Sequence, residues 1–221
     1  MMGRRDQDDK KHGVARAALE RIPAGIILGV GTGSTVDRLI ELLPSLPHPI
    51  QAAVSSSEAS TRQLRECGIE VVPLADQSSL PLYIDGADEV DEQRRLIKGG
   101  GGALTREKII AEVSQTFLCI VDDTKCVTRL GTFPLPIEVI PMAVRLVQDR
   151  IARLGGRCEL RDGFTTDNGN VILDAQDLDF ENPEALERQL DGIPGVVTHG
   201  IFARRRADEV LVGDDGGVRQ L

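Results

Sequence analysis

The fold class is indicated first by residues 26–43, which read IILGVGTGSTVDRLIELL. The apolar run at 26–30 is typical of a buried parallel strand, the glycine-rich residues 31–35 predict a tight turn, and residues 36–43 predict a helix. Strands that alternate with helices predict an α/β layer with a mostly parallel, Rossmann-like sheet. Further predicted helices lie at 8–21, 58–67 and 104–114, and further strands at 52–55, 70–73, 82–85 and 117–121.

A second, smaller domain is indicated by the change of pattern after Gly131. Residues 133–141 contain three prolines and predict a crossover between domains. The following βαββαβ-like order predicts a small α+β, ferredoxin-like domain over residues 131–202, which we expect to serve as an interface or lid. The Rossmann-like domain then takes residues 1–130 and 203–221. The predicted elements beyond residue 141 are helices at 142–154 and 183–190, strands at 157–161, 171–173, 196–202, 209–212 and 218–221, and an Asn-Gly turn at 168–169.

Composition and charge exclude several classes of partner. The 221 residues carry a formal net charge of −9, which disfavours nucleic acid and membrane surfaces as main partners. The first dozen residues are charged rather than apolar, so they do not resemble a signal peptide. The four cysteines are scattered without a CxxC pair, which favours free thiols in a reducing, cytoplasmic environment.

The turn at residues 31–35 is a candidate phosphate site. In open α/β sheets, ligands bind at the carboxyl ends of strands, and the hydroxyls of Thr32, Ser34 and Thr35 add donors to the backbone amides there. A tight turn with a capping hydroxyl is the alternative, and spacing alone does not decide between the two. A dinucleotide fingerprint is excluded because Ser34 occupies the place of the third glycine, and a Walker loop is excluded because no lysine precedes Ser34.

Residues 84–110 contain the densest candidate chemistry. Asp85 and Asp88 follow a predicted strand, where they either face a substrate or simply cap a turn. Lys98 precedes four consecutive glycines, which are costly to order and are best explained where backbone lies directly against a ligand. Lys98 is either a surface lysine or a cation for an oxyanion. Glu107 is either a general base in a dry pocket or an exposed helix residue.

No metal site is predicted. The acidic residues 88–92 do not match a calcium-binding loop, and the three histidines share no ligand spacing. Residues 121–125 follow the fifth predicted strand and reach the same sheet edge as the turn at 31–35, although a charged βα loop would look the same.

Together, these stretches resemble the A-type ribose-5-phosphate isomerases over nearly the whole chain. The resemblance implies a two-domain α/β homodimer or higher oligomer that interconverts D-ribose 5-phosphate and D-ribulose 5-phosphate in the non-oxidative pentose phosphate branch, without a metal or organic cofactor. The matching motifs are GVGTGST at 29–35, AVSSSEAS at 53–60, YIDGADEVD at 83–91, LIKGGGGALTREKII at 96–110, VDDTK at 121–125, FPLPIEVIPMA at 133–143 and TDNGNVILD at 166–174.

The resemblance also implies roles for individual residues. Glu107 matches the proton acceptor, Asp85 would assist ring opening, and Lys98 would hold the developing oxyanion; Lys11 is a further candidate for the phosphate. Gly102 departs mildly from the family, which often has alanine there. The implied substrate-binding residues are Thr32, Gly33, Ser34, Thr35, Asp85, Gly86, Ala87, Asp88, Lys98, Gly99, Gly100, Gly101 and Lys125.

Two other function classes fit the sequence less well. A sugar-phosphate-sensing regulator would carry a helix-turn-helix, and the predicted first strand at residue 26 leaves no room for one. A nicotinamide dehydrogenase is disfavoured by the glycine spacing. The prediction is therefore an isomerase that transfers a proton through a cis-enediolate, because the hydride-shift route needs a divalent metal.

Overall fold

The computed structural model describes residues 4–221, with side chains from residue 7 onward. The chain forms two compact units. The first comprises the chain up to Ala87, Ile109–Cys126 and Ala207–Leu221, and the second comprises Asp88–Lys108 and Val127–Arg206. Residues 88–108 therefore belong to the second unit, although the sequence analysis assigned them to the first.

The helices and strands follow one another as helix α1 (Arg4–Leu19), β1 (Ile27–Val30), α2 (Ser34–Leu42), β2 (Ala52–Ser55), α3 (Glu58–Glu66), β3 (Leu80–Asp85), β4 (Glu89–Val90), β5 (Leu96–Ile97), α4 (Leu104–Val113), β6 (Ser114–Asp122), β7 (Leu135–Val139), α5 (Val144–Arg153), β8 (Arg157–Leu160), β9 (Val171–Gln176), α6 (Pro183–Asp191), β10 (Val196–His199), β11 (Ile201–Phe202), β12 (Glu209–Asp214) and β13 (Gly217–Gln220).

The first unit is built on a mostly parallel sheet, as the sequence predicted. Its strand order is β13-β12-β6-β3-β1-β2, and every neighbouring pair is parallel except β12 with β13. The core below the sheet is aliphatic and includes Leu28, Val30, Leu39 and Ile84. Because parallel strands end at one edge, the loops after β1, β3 and β6 all leave the sheet at its carboxyl edge.

The second unit contains the predicted ferredoxin-like arrangement. β7, α5, β8, β9, α6 and β10 follow one another as βαββαβ, and the antiparallel sheet has the order β10-β7-β9-β8. Apolar side chains such as Ile137, Val147, Leu173 and Leu190 form its core. The short strands β11, β5 and β4 make a separate three-stranded sheet, which the sequence analysis missed because two-residue strands leave no periodic pattern.

Three sequence predictions of strands and loops were wrong. Residues 70–73 form only one isolated bridge, between Val71 and Ala53, because this stretch is partly exposed and ends in a proline. The predicted crossover at 133–141 contains β7, the buried strand between β9 and β10. Its Pro136 has no amide hydrogen to donate, but the carbonyl still accepts a hydrogen bond from the amide of Gly200 (2.8 Å).

The predicted strand at 196–202 is divided in two at Gly200, and its halves join different sheets. A Cβ atom at this position would lie 2.1 Å from the carbonyl oxygen of Lys98. The close approach also allows the amide of Lys98 to donate to the carbonyl of Gly200 at 2.9 Å. The backbone around Gly200 thus turns from one sheet to the other and holds the backbone of Lys98.

Candidate active site

In the first unit, the loop after β1 is held directly against Asp85. The amide of Gly31 donates to the carbonyl of Ile84 (2.9 Å), and the amide of Thr32 donates to Oδ1 of Asp85 (3.1 Å). Only glycine fits at position 31, because a Cβ atom there would lie 2.0 Å from the Asp85 carboxyl group. Two predicted site segments are therefore brought together at the carboxyl edge of the sheet.

Asp85 is fully buried and has a fixed orientation. Its Oδ1 accepts hydrogen bonds from the amides of Gly86 (2.7 Å) and Thr32, and its Oδ2 accepts one from the hydroxyl of Tyr83. The ring of Tyr83 stacks on Phe117 with centroids 5.0 Å apart. Tyr83 lies within a matching motif, but no role was predicted for it, because nothing in the spacing shows that its hydroxyl reaches back to Asp85.

A cluster of hydroxyl groups shapes the loop that contains Thr32. The Thr32 hydroxyl lies 2.7 Å from Ser56 Oγ, 2.8 Å from Ser57 Oγ and 3.3 Å from Ser60 Oγ. Ser60 Oγ in turn donates to the carbonyl of Gly31 at 2.8 Å. These serines come from the AVSSSEAS motif, where Ser57 also caps α3. The serines were missed as site residues because their partners lie in another motif.

The exposed tip of this loop carries the predicted anion donors. Gly33 adopts a φ of 124°, and α2 begins immediately after it at Ser34. Both residues are exposed, Thr35 is half-buried, and Lys11 Nζ donates to Ser34 Oγ at 3.0 Å. A cation, a helix start and exposed hydroxyls therefore meet here, which is an arrangement suited to a phosphate group.

The loop after β6 reaches the same edge of the sheet and carries Lys125, which is half-buried. The loop is held by Lys10, whose ammonium pairs with Asp123 (3.0 Å) and Asp215 (2.8 Å). Hydrogen bonds to Asp215 and Asp123 raise the pKa of Lys10 to about 12, so that it remains charged at neutral pH. Lys10 therefore has a structural role in holding this loop.

In the second unit, Lys98 and Glu107 form a buried ion pair. Lys98 is 2% exposed and Glu107 is 3% exposed, and Nζ of Lys98 lies 3.3 Å from Oε2 of Glu107. Nζ also lies 5.8 Å from the ring centroid of Phe202. Both predicted catalytic groups of this unit are thus adjacent and shielded from water, where electrostatic interactions are stronger than in solution.

The four glycines between them form a turn whose carbonyl groups are held by Arg161. The guanidinium donates to the carbonyls of Gly99 (3.3 Å) and Gly100 (3.1 Å), and it is itself paired with Asp174 (2.5 Å). Gly100 donates its amide to Oδ2 of Asp88 at 2.8 Å. Gly101 is exposed.

Asp88 is therefore placed beside the glycine turn, as a residue that shapes it. Gly86 and Ala87, which precede it, are half-buried. Arg161 was missed by the sequence analysis, because a single arginine more than sixty residues away gives no local signal.

Two general properties complete the description of the site. Across residues 4–221, no helix has the length and apolar character that crossing a membrane would require. Among the side chains that the structure describes, no three His, Cys, Asp or Glu residues are grouped in a way that could hold a metal ion.

Comparison with known proteins finds relatives along almost the whole chain. The family model described as ribose 5-phosphate isomerase A (phosphoriboisomerase A) matches residues 52–217. Ribose-5-phosphate isomerase A of Legionella pneumophila (strain Corby) is 54% identical over 207 residues, which cover 94% of this chain and 96% of the relative.

Solved structures agree with the sequence comparison. Ribose 5-phosphate isomerase A from Neisseria gonorrhoeae matches with a TM-score of 0.96 at 43% identity, over 97% of this chain and 96% of that one. A D-ribose-5-phosphate isomerase in complex with phospho-erythronic acid matches with a TM-score of 0.93 at 38% identity, over 96% of this chain and 97% of that one. The fold, the motifs and these similarities lead to one conclusion: the chain belongs to the ribose 5-phosphate isomerase A family.

Proposed function

We propose that the chain interconverts D-ribose 5-phosphate and D-ribulose 5-phosphate by moving a proton between C2 and C1 through a cis-enediolate, with Glu107 as the base. The observation that carries this proposal is the buried Glu107 carboxylate 3.3 Å from the buried Lys98 ammonium. Removal of a proton next to a carbonyl group needs a base, and the oxygen that becomes negative needs a cation. The ion pair supplies both.

The steps follow from these roles. Asp85 assists opening of the furanose ring, so that the aldehyde form becomes available. Glu107 then removes the proton from C2, and Lys98 stabilises the negative charge that develops on the oxygen at C1. The hydroxyl proton at C2 passes from its oxygen to the oxygen at C1, and return of the proton from Glu107 to C1 then gives the ketose and restores the carboxylate. The same groups catalyse the reverse reaction.

The phosphate is proposed to bind the loop of residues 32–35. Lys11 lies 3.0 Å from Ser34 Oγ, and the exposed Gly33 and Ser34 present backbone and hydroxyl donors at the start of α2. Lys125 adds a second cation for the substrate. Binding energy from this remote group can then be used to orient the reacting carbons. The relative that is bound to phospho-erythronic acid supports a phosphorylated sugar as the substrate class.

The glycine turn is proposed to hold the sugar through its amides. Arg161 donates hydrogen bonds to the carbonyls of Gly99 and Gly100, and Asp88 accepts one from the amide of Gly100. Gly101 is exposed, and a turn fixed in this way can present its amide to a substrate oxygen without reorganising during the reaction.

The assay is incubation of the purified protein with ribose 5-phosphate, with ketose formation followed by absorbance. Glu107→Gln should lower kcat by at least about 10²-fold, the scale of general acid–base catalysis. Glu112→Gln is the matched control, because Glu112 lies on the same helix and is exposed. Near-normal turnover of Glu107→Gln would remove Glu107 from its role.

The route through the enediolate is tested separately. We propose that no metal or organic cofactor takes part, so overnight treatment with EDTA should leave the activity intact. In D₂O, transfer through a carboxylate should introduce deuterium at C1 of the ketose. Loss of activity that Mg²⁺ or Zn²⁺ restores, without deuterium incorporation, would instead support a hydride shift.

We also propose that the protein is a cytoplasmic homodimer or a dimer of dimers. Ile140, Met142 and Leu146 are exposed around the start of α5, and Met142 is 93% exposed. A second copy would remove this apolar surface from water. The four free thiols fit a reducing compartment. A monomeric mass by light scattering, unchanged by Met142→Asp, would contradict the proposed oligomer.

A further inference from the structure

Glu138 on β7 is a buried carboxylate outside the groups that the proposed reaction uses. It is 0% exposed, and both its oxygens accept hydrogen bonds from side chains. Oε1 accepts from Thr166 Oγ1 (2.9 Å), Asn170 Nδ2 (2.8 Å) and Asn168 Nδ2 (3.1 Å). Oε2 accepts from the hydroxyl of Thr105 and from Asn168 Nδ2 (3.3 Å). One side chain of β7 thus joins the turn at residues 166–170 to the start of α4.

The chemistry of these donors explains why the residue is a glutamate. They are two hydroxyl and two amide groups, all uncharged, and they surround both oxygens. A glutamine would turn one NH₂ group towards donors and leave buried polar groups unpaired. An apolar residue would avoid the cost of burying a charge but would bind none of the four. The charge is retained at a position where its effect is to hold these donors in place.

One of the donors that Glu138 holds, Thr105, lies in the same helical turn as the proposed base. Thr105 is the second residue of α4, and Glu107 follows it by two positions. Between them, Arg106 donates to Asn168 Oδ1 (3.0 Å) and to the carbonyl of Asp167 (2.9 Å). The first turn of α4 is therefore attached to the turn at 166–170 twice, once through Glu138 and once through Arg106.

We infer that Glu138 is a positioning residue. Through Thr105 it fixes the first turn of α4 and so holds the carboxylate of Glu107 in its position next to Lys98. The inference rests on the role proposed for Glu107. Glu138 itself does not contact the reacting atoms in this account. Because a base that is displaced by about 1 Å can lose about 10²-fold in rate, loss of the Glu138–Thr105 hydrogen bond should lower kcat much more than it changes KM.

Four variants test this inference. Glu138→Gln keeps the size of the side chain and changes an acceptor into a donor. Thr105→Val keeps the shape of the threonine and removes only the hydroxyl, whereas Thr105→Ser keeps the hydroxyl. Val147→Ala is the stability control, because it removes buried apolar volume from the core of the same unit and breaks none of these hydrogen bonds.

Two measurements are made on each variant: steady-state kinetics with ribose 5-phosphate, and hydrogen exchange of the backbone amides in residues 104–110. We expect Glu138→Gln and Thr105→Val to lower kcat about 10- to 100-fold, to leave KM within about threefold, and to speed exchange in the first turn of α4. Thr105→Ser should recover both properties. Val147→Ala should lower the melting temperature while kcat stays within about twofold.

The outcomes separate this inference from the proposed function. If Glu107→Gln abolishes turnover while Thr105→Val retains normal kcat and normal exchange, the positioning role is overturned and the base assignment stands. If Glu107→Gln turns over normally, the base assignment fails, and the positioning role fails with it. If Glu138→Gln does not fold, Thr105→Val against Thr105→Ser still decides the question.

Discussion

Replacing Lys98 with methionine should destabilise the protein strongly, and removing Glu107 as well should restore much of the loss. Both side chains are almost completely buried, and their charged atoms lie 3.3 Å apart. Methionine keeps most of the apolar stem of the lysine but leaves the Glu107 carboxylate without this cation. Lys98→Met therefore removes one partner of a buried ion pair.

The size of the effect follows from that burial. Breaking a buried pair by removing one partner costs about 3–5 kcal/mol, whereas replacing both partners with apolar residues is often neutral or stabilising. For a chain of this length, about 1 kcal/mol corresponds to roughly 2–4 °C in Tm. Lys98→Met should thus lower Tm by about 6–20 °C, and Lys98→Met/Glu107→Leu should lie closer to the parent.

The assay is a double-mutant cycle by urea denaturation and calorimetry, at neutral pH. The matched control is Arg129→Met, which breaks an ion pair in the same unit with Asp179, whose two side chains are 61% and 69% exposed. This exposed pair should contribute no more than about 1 kcal/mol. A Lys98→Met protein as stable as Arg129→Met, or a double variant less stable than Lys98→Met, would refute the reasoning.

Three further perturbations have definite expected results. Gly102→Ala should destabilise the protein by about 1–3 kcal/mol, because φ is +77° and the new Cβ would lie 2.2 Å from the ring of Phe164; adding Phe164→Leu should recover part of the loss in urea denaturation. Tyr83→Phe removes a donor from the buried Asp85 and should cost about 1.5–3 kcal/mol by the same measurement. Burial, aided by a nearby lysine, lowers the pKa of His199 against the opposing effect of a neighbouring aspartate. The neutral His199 contributes its full share of folding stability above the unfolded pKa of about 6.5, and this share is lost as pH falls through the lower folded pKa. His199→Gln should therefore flatten the decline of Tm below pH 6.5.

The sequence predicted the elements whose signals are local. The strand β1, the glycine turn and α2 follow one another within twenty residues, so apolar run, turn and helix were all visible together. β7 was not visible, because Pro136 within it and a proline on either side argue against a strand, and only its pairing with β9 and β10 offsets them. The strands β4 and β5 are two residues long and exist only through their partners.

The site residues that could be predicted are likewise those with a local signal in the sequence. The resemblance supplied Glu107, Lys98 and Asp85 because they lie in continuous motifs. No role was predicted for Arg161 or Glu138. The glycine carbonyls that Arg161 holds are more than sixty residues away, the partners of Glu138 are 28 to 33 residues away, and no spacing rule connects them. Sequence motifs thus identified the residues with proposed chemical roles. The structure was needed to identify the residues that hold those residues in place.

Several features that cost folding stability occur in one part of the second unit. Four consecutive glycines, a buried ion pair and a buried carboxylate with uncharged donors all lie between β5 and the turn at 166–170. Each of these features costs stability, and the apolar core under the four-stranded sheet offsets that cost. Selection for folding alone would favour simpler residues at these positions. The glycines and the ion pair lie in the motif that contains Glu107, and Glu138 is joined to that motif through Thr105. Their clustering is best explained by a requirement for fixed charges and backbone donors around the proposed active site.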